Sequence, residues 1–347
     1  MIKKKNLQMN NMLPEMTALS IETSYSCSTT ASEDEVKRHH LPHRALPFIR
    51  THDLVLDGGR DCRSNKQLTP LEEGHETGKV IGALVAISVE EASDESDRWI
   101  AVSSTDRILK NRAKQAKKGT LEKEGNIMGP WTNATSGDEV FVWSSKCNRP
   151  GYGSEYPVVR SRGLIPASAR EVVELIIDSN RVMDYNKYSI GRKDLVVLTH
   201  TTSVHSAEKK CPRLGVPGEA KIFVSESQPP LMRYPLEFKQ LFYAQRLYSD
   251  DGVELDGVAY IAFGRSVWES PDGTTDGSDK STTRCEVMLT VSLIREVTTT
   301  EDGPKVCELT TVTHAINPGV PMFIGKKLGL VAAEEYIKNI RGYFAKK

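Results

Sequence analysis

The sequence predicts an α+β domain in which helices cover one face of an antiparallel sheet. Three observations predict it: a succession of β-branched and aromatic segments, the Gly-, Pro- and Asp-rich turns that join them, and a single long helix that closes the chain.

The regular pattern begins with EVFVW (139–143) and YPVVRSRGLI (156–165), separated by the turn signal Asn148-Arg149-Pro150-Gly151. Next comes PASAREVVELIIDSNR, in which Ser168 and Glu171 make a capping box and Val172, Leu175 and Ile176 share an apolar face. A short helical piece near RVMDYNKY follows.

Six further strands are predicted at 194–200, 220–226, 238–248, 257–268, 284–297 and 305–316. Their connections, such as SDDGVELDG and TTTEDGPK, are hairpin-like, so the strands pair antiparallel. In RCEVMLTVSLIREV the residues Val287, Leu289, Val291 and Leu293 alternate with Glu286, Met288, Thr290 and Ser292, which makes one face covered and the other mixed. In FKQLFYAQRLY, Phe238, Gln240, Phe242, Arg246 and Tyr248 fall on one face, and Leu241, Tyr243 and Leu247 on the other. A polar pair beside aromatics suits either a lipid pocket with a headgroup anchor or an exposed face with a snorkelling Arg.

Upstream, residues 1–70 show no sustained period and read as a disordered leader. Residues 71–103 form an unassigned N-terminal extension; its apolar pieces VIGALVAISV and RWIAV fit two edge strands or one short helix equally well. From Asp106 the pattern is helical, with Leu109, Ala113 and Ala116 on one side, many Lys and Arg between them, and Gly119 as the stop. It fits a helix that opens the domain with a solvated basic face, or one that docks on anionic lipid. The domain proper is expected over 104–345, with its core at 131–345.

Lys plus Arg and Asp plus Glu balance at 46 each, so no overall field recruits nucleic acid. The longest apolar run, within residues 80–89, is far short of the ~20 residues of a membrane-spanning helix. The basic start MIKKK lacks the apolar region of a secretory signal, and a cytoplasmic protein is expected, peripheral to membranes at most. Cysteines at 27, 62, 147, 211, 285 and 307 include no Cys-x-x-Cys pair, so reduced thiols are expected rather than a zinc site. His39, His40 and His43 lie in the leader and read as a polar tract. No phosphate loop, nucleophile elbow or metal helix is present, and neither a cofactor nor a metal is expected.

On the closing helix, Phe323, Ile324, Leu328 and Val331 share one side, whereas Tyr336, Ile337, Ile340, Tyr343 and Phe344 lie on nearly the opposite one. Gly325 and Gly329 each weaken the first half by about 1 kcal/mol relative to Ala. That half is either the mobile one, hinged at these glycines, or a fixed helix that the glycines allow to pack closely.

Four stretches taken in order, PVVRSRGLIPASAREVVELIIDSNRV, MDYNKY, LFYAQRLYSDDG with GVAYIAFGRSVW, and HAINPGVPMFIGKKLG, resemble the START family of lipid-transfer domains. Where the family often has Arg-x-x-Trp-Asp, Arg181-Val182-Met183 is followed here by Asp184-Tyr185-Asn186, so that either Tyr185 and Asn186 stand in or the spacing differs. The resemblance implies a helix-grip fold, a curved antiparallel sheet wrapped around the C-terminal helix, with an internal tunnel for one lipid. It implies Phe323, Ile324 and Leu328 as tunnel walls and a lid hinged at Gly325 and Gly329; Arg181, Tyr185, Tyr243, Arg246, Arg265 and His314 are the candidates for headgroup contacts, each of which also fits an ordinary surface or structural residue, His314 a strand histidine. The expected partners are a lipid and a transient membrane surface, for a monomeric protein without catalytic activity. Two alternatives stand beside it: a helix-grip hydrolase or cyclase acting on a hydrophobic small molecule, for which the strands offer Glu286 and His314, and a non-catalytic scaffold with a vestigial pocket.

Overall fold

The structure is a computed structural model, and it describes residues 60–61, 76–117, 139–146, 156–198, 218–229, 232–248, 258–267, 282–297, 305–317 and 320–346. All of them belong to one compact unit, Ala45–Lys347. The 1–70 leader, with its histidines, lies outside the described residues apart from Arg60 and Asp61, and the Asn148–Gly151 turn lies wholly outside them.

The elements in chain order are β1 (Arg60–Asp61), α1 (Glu76–Ser93), β2 (Ile100–Ala101), α2 (Ser103–Lys117), β3 (Val140–Lys146), β4 (Pro157–Ile165) and α3 (Ala169–Ile177). A 3-10 turn (Ser179–Arg181) leads to α4 (Val182–Tyr185), then β5 (Ser189–Val197), β6 (Glu219–Ser227), β7 (Leu236–Leu247) and β8 (Ala259–Ser266). The chain closes with β9 (Thr283–Arg284), β10 (Glu286–Val297), β11 (Val306–Ile316) and α5 (Met322–Phe344). The strands form one 11-stranded sheet in the order β1-β5-β6-β7-β8-β10-β11-β4-β3-β2, with β9 joined to β7. Every pairing is antiparallel except the short β7–β9 one.

The central strands split their side chains between two apolar layers. The outer layer holds Leu241, Tyr243, Ile261, Phe263, Leu289, Val291 and Val312 against Ile81, Leu84 and Ile87 of α1. The inner layer holds Val159, Phe223, Phe242, Tyr260, Ile294 and Leu309 against α3, α4 and α5. This antiparallel sheet with its C-terminal helix held on one face is the helix-grip fold.

Residues 76–93 form a helix, and one longer than the short helix the sequence allows. Its last turn carries no basic residue of its own, and the sheet supplies the cations instead. Arg160 is sandwiched between the rings of Trp99 (4.7 Å) and Trp143 (4.6 Å) and donates to the Asp94 carbonyl. Arg162 donates to Glu95 at 2.7 Å and Arg295 to Ser93 Oγ at 3.0 Å. On the other side, α3 starts with the predicted capping box: Glu171 N donates to Ser168 Oγ at 3.3 Å and Ser168 N to Glu171 Oε2 at 3.0 Å. Among the described residues no helix is long and apolar enough to cross a membrane.

Candidate functional site

The two halves of α5 are held very differently. In the second half Ile337, Ile340 and Phe344 are buried in the inner layer, and Ile337 lies against Gly163 of β4. Arg341 Nε donates to the Leu164 carbonyl at 2.9 Å and its Nη2 to the Glu139 carbonyl at 3.2 Å. Arg181 donates to the hydroxyl of Tyr343 and lies 5.2 Å from its ring, and Lys187 pairs with Glu335.

The first half has few such ties. Its N-cap is Pro321, which makes no side-chain cap bond, and its first turn contains no acidic residue. Met322 and Phe323 are exposed, Phe323 to 75%, as are Lys326, Lys327 and Val331. Ile324 and Leu328 are half-buried. A Cβ on Gly325 would meet Tyr156 and Val320 only at 3.9 Å, and one on Gly329 would meet Val159 at 3.8 Å. These are ordinary contacts, so close packing does not require glycine at either position.

On the face of the sheet that carries this helix, three rows of cross-strand partners include many small and hydroxyl-bearing side chains. One row of cross-strand partners runs Ser161, Thr311, Ser292, Ala262, Ala244. The next runs Val159, Thr313, Thr290, Gly264, Phe242, Lys221. A third contains Ser266, Gln240, Phe223 and Asp194. Thr290 and Thr313 keep part of their surface uncovered although both stand in central strands. Ser161 and Thr311 share a 2.7 Å hydrogen bond, and Tyr336 is hydrogen-bonded to Ser292. Burial, seconded by Tyr185, pushes the Tyr336 phenol up and keeps it neutral.

Two cations of this face are tied to neighbouring groups, although Arg192 Nε and Arg246 Nε have no partner among the described residues. Lys221 Nζ donates to the Ile177 carbonyl at 2.6 Å, to Ser179 Oγ at 3.1 Å and to Asp194 at 3.3 Å. Arg192 lies 4.5 Å from the Phe223 ring and donates to the Ile176 carbonyl at 2.9 Å and to Tyr185 Oη at 3.3 Å.

Of the predicted contacts, Tyr185 joins this region: it is buried, and its ring meets that of Tyr336 edge-on at 5.8 Å. Arg181 is tied to the anchored end of α5. Arg246 shares the inner face but pairs with Tyr260, in the row of Gly163, Leu309 and Ile294 that α3 and the anchored half of α5 cover. Tyr243, Arg265 and His314 do not join them. Strand alternation places all three on the outer face: Tyr243 packs at 5.5 Å from Phe263 and donates to Gln245 at 2.8 Å, Arg265 donates to the Met288 carbonyl at 2.6 Å, and His314 pairs across from Leu289. Glu286 faces Arg265, and burial raises its carboxyl while that guanidinium opposes the rise. The two residues offered for an enzyme therefore lie on the face of the sheet opposite α5. Tyr336, Arg192 and the hydroxyl rows were not among the predicted contacts.

Comparison with known proteins gives one kind of match. No family model matches the sequence, and no curated protein matches it. Among solved structures the chain is similar to human StAR-related lipid transfer protein 5, at 12% identity and a TM-score of 0.43, over 70% of this chain and 98% of that one. It is also similar to human STARD10 (17%, TM-score 0.43, 67% and 78%) and to the lipid transfer and protein localization domain of human StarD13 (14%, TM-score 0.41, 67% and 95%).

Proposed function

We propose that this protein holds one lipid between the inner face of its sheet and the first half of α5, and exchanges it when that half opens at a membrane surface. The observation that carries the reading is the asymmetry of α5. Its second half is buried and tied at Arg341, Tyr343 and Glu335, while its first half presents Met322 and Phe323 to solvent beside Lys326 and Lys327.

An exposed aromatic next to two cations suits an anionic lipid surface, where the ring enters the interface and each Lys adds roughly 1 kcal/mol. An uncapped helix start with two glycines lowers the cost of moving that segment. A lipid beneath it replaces membrane hydrocarbon with protein walls at about 25 cal/mol per Å², so the work needs no catalytic group. The protein acts by holding, as a monomer that meets membranes peripherally from the cytoplasm.

Native mass spectrometry of the full chain after incubation with mixed-lipid vesicles tests the reading. A one-to-one lipid adduct is expected. A folded protein that returns without lipid would leave the scaffold reading in its place.

A further inference from the structure

The side chain of Gln240 ends in an acceptor that nothing among the described residues uses. Gln240 is 7% exposed and its Oε1 has no hydrogen-bond partner. It stands on the inner face of β7, between Ser266 and Phe223 of the neighbouring strands. Its carboxamide folds over Gly264, where a Cβ would lie 2.5 Å from Oε1 and 2.8 Å from Thr290 Cγ2. Glycine is what lets both side chains lie down on the sheet at that point. Leaving a buried carbonyl unpaired is costly, and a partner is what offsets the cost.

We infer that Gln240 is the polar anchor of the lipid site and that it selects a lipid whose polar end is an uncharged hydrogen-bond donor, a free hydroxyl above all. This assignment rests on the lipid reading given above. The unpaired Oε1 is an acceptor, so the partner that satisfies it is a donor such as a free hydroxyl. Of the cations on this face, Lys221 is turned to Ile177, Ser179 and Asp194, and Arg192 holds Ile176, Tyr185 and the ring of Phe223 while its Nε has no partner among the described residues. The rest of the floor is neutral, with Thr290, Thr313, Ser292, Ala262 and Phe242 around Gly264.

The test uses full-length protein and phosphatidylcholine vesicles doped separately with dioleoylglycerol, its O-methyl ether and dioleoylphosphatidic acid, with the captured lipid quantified after re-isolation. Dioleoylglycerol should be taken up in about five- to tenfold preference to the ether, as a neutral hydrogen bond predicts, and to phosphatidic acid. Gln240→Met, which keeps the length and loses the acceptor, should remove the preference over the ether while uptake of the ether itself persists. Gly264→Ala, which displaces the carboxamide, should do the same. Equal uptake of alcohol and ether by the native protein, a preference that survives in both variants, or favoured uptake of phosphatidic acid would overturn the assignment and leave the lipid site standing. Uptake of none of the three, nor of phosphatidylcholine, by folded protein would overturn the lipid reading and this inference with it.

Discussion

Ile337 of α5 lies against the backbone of Gly163: a Cβ at position 163 would sit 2.7 Å from Ile337 Cγ2 and 3.0 Å from Arg341 Nη2. The contact fastens the second half of the helix to β4, and it works only because Gly163 has no side chain.

Gly163→Ala should therefore destabilise the fold. The Arg341 tip can move aside, but Ile337 is fully buried, so helix and strand must separate, at about 1–3 kcal/mol. Urea unfolding checks this; an unchanged midpoint would mean that the helix seat is looser than described.

Gly325→Ala with Gly329→Ala should have the opposite effect. Both positions have room for a methyl, and each change favours the helix by about 1 kcal/mol. The double variant should melt higher and transfer lipid between vesicles several-fold more slowly. Unchanged transfer kinetics would remove the glycines from the opening step.

Replacing Phe323 by Ser should change stability little, because the ring is 75% exposed, and should weaken binding to vesicles. Lys326→Glu with Lys327→Glu should weaken binding to phosphatidylserine vesicles by more than tenfold at low salt, with little effect on neutral ones. Vesicle flotation separates the two effects.

Stability should fall with alkalinity through Cys307. Burial pushes its thiol far above the ordinary value of 9.0, and Glu296, Glu308 and Glu171 add to the shift. The folded state thus keeps a proton that the unfolded chain loses. This contribution is complete below pH 9 and declines above it by about 1.4 kcal/mol per pH unit. Cys307→Ala should flatten the decline between pH 9 and 11 by about one proton, measured by urea titration.

Much of this molecule can be read from residue order. The alternation in β7 and β10 separates inner from outer face, and the Ser168–Glu171 box marks the start of α3 where the structure has it. The helix at 76–93 could not be told from strands, because exposed Gly82, Ala83 and Ala86 fill its outward side with small apolar residues and blur the 3.6-residue period. Tyr243, Arg265 and His314 entered through the resemblance; alternation sets Tyr243 apart from Arg246 but does not say which face meets the terminal helix. The hydroxyl floor was hidden for a related reason: in β11, Thr310 and Thr311 point to opposite sides, so the strand carries no binary pattern.

Hydrogen exchange along α5, with lipid-loaded and lipid-free protein compared, is the most direct test of the account. The amides of Ile324–Leu330 should exchange faster than those of Ile337–Phe344 in the free protein, and should slow on loading while the second half stays as it was. Uniform exchange along the helix, unaltered by lipid, would contradict a roof that opens at one end.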